Sequence, residues 1–216
     1  RDKRVVDKFS LKSWYVIHTP EMFGTKPITE TPAADPEMVV GRTITQSVMD
    51  VTGDYKKIHV KLTFKVNDVK GENAYTKFKG HEYTRDYIRS MIRRRRTRID
   101  GIFNIITKDK AKIRISIIAL TPFRCKASHE KGIRKIMQDL SKKRAKRQTY
   151  EKFVNDLISG RLATAIYKKA RKVHPIQNVD VWKSLVVNYP KITAEEKEET
   201  KEKPKEKPKE EAQAEA

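Results

Sequence analysis

The run Arg93-Arg94-Arg95-Arg96-Thr97-Arg98 puts five guanidinium groups into six positions. A guanidinium grips phosphate oxygens through a two-pronged fork and also lies flat against a nucleobase, so this density makes a polyanion-binding segment. A solvated helix end can carry similar charge, but such ends usually hold a carboxylate four residues away, and the run contains none. Lys142, Lys143, Arg144, Lys146 and Arg147 form a second cluster, and Lys168, Lys169, Arg171 and Lys172 a third. The third also falls where a helix C-terminus favours cations, so dipole complementation competes there with nucleic-acid contact. Trp14, Tyr15 and Phe23 stand among Lys8, Lys12 and Lys26. Rings among cations can stack on unpaired bases or anchor an arm to the core. Packing has the stronger physical case, because aromatics bury the most apolar surface.

Catalytic chemistry finds little footing. His81-Glu82 and His129-Glu130 resemble the opening of a zinc-protease motif, but neither has the second histidine that must follow its Glu. There is no Walker loop, no dinucleotide-binding glycine pattern and no nucleophile elbow. Asp50, Asp54, Asp68 and Glu72 could meet around magnesium as a nuclease site, yet they fall at turns, where Asp bonds its own backbone by default. The expectation is a protein that is not an enzyme and has no cofactor and no bound metal.

The whole chain fits that reading. Its 216 residues carry 49 Lys plus Arg against 28 Asp plus Glu, a formal +21, with 37% hydrophobic and 36% charged residues. Such a chain repels itself unless a polyanion neutralises it, and nucleic acid is the commonest one, ahead of an anionic membrane surface. The single cysteine, Cys125, excludes an internal disulfide and any Cys-rich zinc site. No stretch approaches the about 18 consecutive apolar residues of a membrane span. Arg1-Asp2-Lys3-Arg4 lacks the apolar core of a secretion signal, so a cytoplasmic protein is expected. Because position 1 is Arg, further residues are expected before it.

The elements that must position these side chains are mostly strands, then helices. Ile58, Val60, Leu62, Phe64 and Val66 alternate with polar residues at the period of a half-buried strand. Turn chemistry at Asn67-Asp68 and Gly71-Glu72-Asn73 precedes a second such run through Ala74, Thr76 and Phe78. Phe103 and Ile105, then Ile113, Ile115, Ile117 and Ala119, repeat the pattern around a turn at Lys108-Asp109-Lys110, and Val39-Val40 with 43–49 read as an earlier strand. One helix interrupts the strands, capped at Thr84, with Tyr87, Ile88, Met91 and Ile92 on one face; the arginine run is expected to extend it outward. Beyond Pro122, helical stripes run from a cap at Ser128 through Ile133, Ile136, Met137 and Leu140, then through Phe153 to Ile158 ending at Gly160, then through Leu162, Ala165, Ile166 and Ala170. The first of these stripes fades after Leu140, so its basic end is expected to project from the core. A final extended segment, 179–187, can return to the sheet.

These patterns predict an α+β chain with a beta-barrel-like core of short, mostly antiparallel strands and flanking helices. Three regions are expected: an extended basic and aromatic N-terminal arm over 1–38, the core with its C-terminal helices over 39–193, and a disordered Lys/Glu/Pro tail over 194–216. The tail has 6 Lys, 9 Glu and almost nothing to bury, which leaves residues 1–193 with 43 basic against 19 acidic groups, a net +24.

Along 3–187 the chain shows, in order, Val5-Val6-Asp7, Phe9-Ser10, Trp14-Tyr15, Pro20, Met22-Phe23, Gly41-Arg42, Ser47, Asp50 and Leu62. The series continues through Gly80, Thr84-Arg85-Asp86, Ser90-Met91, Thr107, Asp109, Ile133-Arg134-Lys135, Met137, Pro175, Val179, Val181 and Lys183. With these residues over most of that span the chain closely resembles the ribosomal protein S-three-A-e family of archaeal and eukaryotic small subunits. The resemblance implies a structural ribonucleoprotein constituent that supports translation and binds ribosomal RNA on the subunit platform. That place lies near the RNA 3′ end and the messenger exit, with neighbouring ribosomal proteins, and messenger RNA near the exit, as partners. Lys110 stands where the family often has glycine, His174 where tyrosine is common and Trp182 where a basic residue is common. The short tail is archaeal in style. Two rivals stay open on composition alone: a free nucleic-acid or chromatin binder, and a metal-dependent nuclease.

Overall fold

A computed structural model describes residue 9 and residues 11–190. The tail beyond residue 193 and the first eight residues of the arm lie outside the described residues. Among the described residues, eight strands form one mixed sheet accompanied by five α-helices, so the expected α+β class is met.

Alternation builds the sheet as read. Strands β4 (Val60–Lys70) and β5 (Asn73–Tyr83) are joined by a tight turn at Gly71, with Val60, Leu62, Phe64, Ala74 and Phe78 turned inward. Ile58 does not join that face; it ends a 3-10 turn and stays exposed. β6 (Arg98–Ile106), β7 (Lys112–Leu120) and β8 (Asn178–Asn188) pair antiparallel in the order β6-β7-β8, and β8 then meets β5. The last extended segment therefore does return to the sheet. Lys110, in the turn before β7, takes φ 58, the left-handed region that favours glycine.

Two elements differ from the sequence expectation. The strand expected over 43–49 stops at Ser47, as β3 (Thr43–Ser47), because Ser47 and Asp50 form a capping box that starts the short helix α1 (Val48–Thr52). Residues of the expected arm form a hairpin of β1 (Ser13–His18) and β2 (Pro27–Ala33), and β1 adds to β5 in parallel through Val16 to His18. That hairpin has its own small core of Tyr15, Ile17, Ala33, Val39, Val66 and Ala74. The main core joins the inner faces of β4 to β8 to three helices: α3 (Ala127–Arg147), α4 (Tyr150–Ser159) and α5 (Arg161–Ala170). Gly160, at φ 80, ends α4 as expected.

A buried polar pair links β5 to β8. His81 Nε2 lies 2.8 Å from the Val181 carbonyl, which can only accept, so that nitrogen donates. Nδ1 then accepts from the Ser184 hydroxyl at 2.6 Å. Burial lowers His81 to about 4, against the lesser raising effects of the Val181 carbonyl and Glu82. One residue away, burial raises Asp180 to about 6, opposed by the amide of Asn178. The two titrations act in opposite senses. From pH 6.5 down to about 4 the unfolded chain takes a proton that folded His81 refuses, so stability falls with pH. From about pH 6 down to 3.8 folded Asp180 holds a proton that the unfolded chain has released, so stability rises as pH falls. Replacing Asp180 with Asn removes the second effect alone. The variant should be more stable than the parent at pH 7 by on the order of 2 kcal/mol, with the difference vanishing near pH 4. Urea unfolding of both chains across that range measures it, and a pH-independent difference would contradict the burial of an ionisable Asp180.

Candidate nucleic-acid interface

The arginine run is not a helical extension. Helix α2 (Arg85–Met91) ends before it, and Ile92 turns to an extended conformation with ψ 117. At the far end Thr97 is fastened to the sheet: its amide donates to Thr121 Oγ1 at 3.1 Å and its hydroxyl accepts from the Cys125 amide at 3.0 Å. Residues 92–97 therefore bridge two anchors as a loop, with Arg95 at φ 65. Arg93, Arg94 and Arg95 are exposed and Arg96 half-buried. Among the described residues no carboxylate lies within ion-pair distance of these four, whereas Arg98 sits 2.8 Å from Asp100.

The second cluster does not project from the core. Ser141 and Ala145 continue the buried stripe of α3 beyond Leu140, so the apolar face persists in small residues. Lys142, Lys143, Lys146 and Arg147 are exposed on the opposite faces. Arg144 differs: its Nε lies 3.0 Å from the buried carboxylate of Asp156 and its Nη1 donates to the Arg161 carbonyl at 3.1 Å. Asp156 also receives the Gln148 amide at 2.7 Å. Arg144 is thus a fixed part of the α3–α4–α5 junction.

One member of the third cluster, Lys169, is brought to the second. Arg144 meets Arg161 at the start of α5, while the rings of His129 and His174 lie 5.7 Å apart at the other end, so α5 runs antiparallel to α3. An open cleft of about 490 Å³ between them is floored by Leu140, Leu162 and Ala165. Lys143, Arg144 and Arg147 on one side and Lys169 on the other form its rim. Lys168, Arg171 and Lys172 are exposed farther along α5. Because Cys125 is tied to Thr97, the arginine loop lies at the N-terminal end of α3, about 22 to 30 Å along the helix from Lys142 to Arg147 at 1.5 Å per residue. The arginine loop and the second cluster mark opposite ends of α3, and the third cluster lies on α5 beside it.

The aromatic trio divides. Tyr15 is buried in the hairpin core, and Phe23 packs on Phe64 and Phe78 with ring centroids 5.8 and 6.1 Å away. Trp14 alone is 53% exposed. Among the described residues no three or more His, Cys, Asp or Glu gather where they could hold a metal ion, and no helix is long and apolar enough to cross a membrane.

The model of the Ribosomal S3Ae family matches residues 1–190. The chain belongs to the ribosomal S3Ae family. It is 44% identical over 190 residues to the small ribosomal subunit protein eS1 of Staphylothermus marinus, covering 88% of this chain and 90% of that one. It is 41% identical to the protein of that name from Desulfurococcus amylolyticus, over 86% of this chain and 87% of that one. To the one from Methanobrevibacter smithii it is 39% identical, over 86% and 96%. The resemblance carried by the ordered residues is therefore confirmed at the level of the S3Ae family.

Some side chains that this S3Ae member places beside the clusters were not singled out in the sequence. Arg124 and Lys126 flank Cys125, which bonds Thr97, so both stand at the root of the arginine loop. As isolated cations they form no run. The cleft floor was read only as core stripe, and nothing in the spacing marks Leu140 and Ala165 as partly open. Ahead of the loop, His59 and Tyr87 stack at 3.8 Å and 16°, with burial lowering the imidazole and raising the phenol.

Proposed function

We propose that the chain is a non-catalytic, structural constituent of the small ribosomal subunit in the cytoplasm, held there by ribosomal RNA and supporting translation. Membership of the S3Ae family supports the ribosomal role, and relatives of about 40% identity bear the name of a small-subunit protein. The observation that carries RNA contact is the arginine loop: four guanidinium groups without a carboxylate partner, on a segment pinned at both ends. Burying unpaired guanidinium groups would be very costly, so their natural counterion is phosphate. By the family resemblance the place is the platform near the messenger exit, beside other ribosomal proteins and within reach of messenger RNA.

Replacing Arg93, Arg94, Arg95 and Arg96 together with Gln should preserve folding, since surface changes shift stability by about 0.5 kcal/mol each at most. Affinity for ribosomal RNA should drop and its dependence on log salt should flatten by about 3 to 4 units, near one for each lost phosphate contact. Lys in the same positions should give an intermediate loss, because charge survives while the fork and the flat face do not. Binding titrations beside melting curves decide. Parent-like binding by the Gln variant would remove the loop from the interface. Sedimentation of a cell extract at moderate salt tests the ribosomal role itself, because a free nucleic-acid binder would stay light.

A further inference from the structure

We infer that the cleft between α3 and α5 is a receptor for a single unpaired nucleotide, its base on the apolar floor and its phosphates on the cationic rim. The inference rests on the RNA-binding reading above and names what this part of the surface takes.

A cation cluster that bound only the outside of a duplex would need no cavity. Here the cations surround an apolar depression: Leu140 and Ala165, backed by the buried Leu162, offer a surface that water solvates poorly and that a flat ring would cover. The rim supplies two distinct functions. Lys143, Arg147 and Lys169 are exposed and have no ion-pair partner among the described residues, so they are free to follow phosphate oxygens. Arg144 is not free. Asp156 and the Arg161 carbonyl hold its guanidinium from two sides, which fixes the plane in advance and leaves a flat cationic face suited to stacking rather than to clamping phosphate. An apolar floor, a fixed guanidinium plane and mobile cations together match a nucleotide pushed out of its helix. A continuous duplex, whose bases are stacked away, uses only the mobile cations.

The test uses the full chain and two RNA hairpins of equal length, one fully paired and one with a single bulged adenosine, at fixed moderate salt. The parent should bind the bulged hairpin about tenfold more tightly, in line with the usual worth of one stacked base. Ala165→Phe fills the floor without changing charge. It should erase that preference and leave affinity for the paired hairpin unchanged. A bulge carrying 2-aminopurine gives a readout on the parent alone: its fluorescence should change on binding, and excess bulged hairpin should reverse this while paired hairpin does so poorly. Equal binding of the two hairpins by the parent, or a bulge preference untouched in a folded Ala165→Phe variant, overturns the inference while leaving phosphate-driven RNA binding intact. Binding of neither hairpin overturns both readings. Displacement of the bulged hairpin from the parent, but not from Ala165→Phe, by an acidic amphipathic peptide that binds more tightly than RNA would assign the cleft to protein instead.

Discussion

Affinity of the chain for its ribosomal RNA should fall by about three to five decades between 50 and 200 mM salt, the loss expected when roughly 6 to 10 phosphates are neutralised. Counterion release makes log affinity linear in log salt, and the slope counts the cations that meet phosphate. Residues 1–193 carry a net +24, but that total overstates the available contacts. Arg98, Arg134, Arg144, Arg161 and Lys183 are occupied by Asp100, Glu130, Asp156 and Glu82. The other exposed cations of the three clusters, eleven of them, have no such partner among the described residues, so the top of that phosphate range would engage nearly all of them. Contacts to single-stranded segments should lower the slope, since those strands hold fewer condensed counterions per phosphate. Titration of the chain into cognate RNA at several salt concentrations reads it directly. An affinity nearly constant over this range would exclude phosphate-dominated binding.

What the sequence made legible follows the strength of the local signal. Alternation in β4 and in the first half of β7 names the strand and its buried face, because a one-residue slip would expose the apolar set, and the long stripes of α4 and α5 name their helices in the same way. Residues 43–49 misled because alternation continues into a segment whose decisive signal is different: Ser47 followed by Asp50 three positions later, a cap that overrides the strand pattern. The basic end of α3 misled for the opposite reason. Ser141 and Ala145 are completely buried, yet neither looks apolar enough to extend a stripe. α3 and α5 run antiparallel, and that pairing brings Lys169 to the rim of one cleft with Lys143, Arg144 and Arg147 of the earlier charge run. The arginine loop was legible as chemistry and not as shape. Arginine favours helix, so only the tertiary anchor at Thr97 explains why the chain leaves the helix at Ile92.

Gly80→Ala should be the most damaging small substitution in the sheet, at about 4 kcal/mol, beyond the usual overpacking range. β5 and β8 are paired through only three positions, Gly80 with Leu185, His81 with Ser184 and Glu82 with Lys183. That short ladder joins the half of the sheet made by β3, β4 and β5 to the half made by β6, β7 and β8. A methyl on Gly80 would stand 2.2 Å from the Ser184 carbonyl oxygen and 3.3 Å from the Leu185 Cα, so backbone must move. Ser184 also bonds the His81 ring and its amide, and moving the strand would leave those buried groups without partners. Gly71→Ala makes the control. It too lies in the β4–β5 hairpin, at φ 60 with open space around it, so it should cost only about 1 kcal/mol through backbone conformation. Denaturant unfolding of the two variants beside the parent separates the causes. If Gly80→Ala cost no more than Gly71→Ala, the close approach of β5 to β8 would not be what joins the halves of the sheet. Its RNA affinity, measured well below its melting point, should stay near the parent's, because none of the three basic clusters lies on this joint.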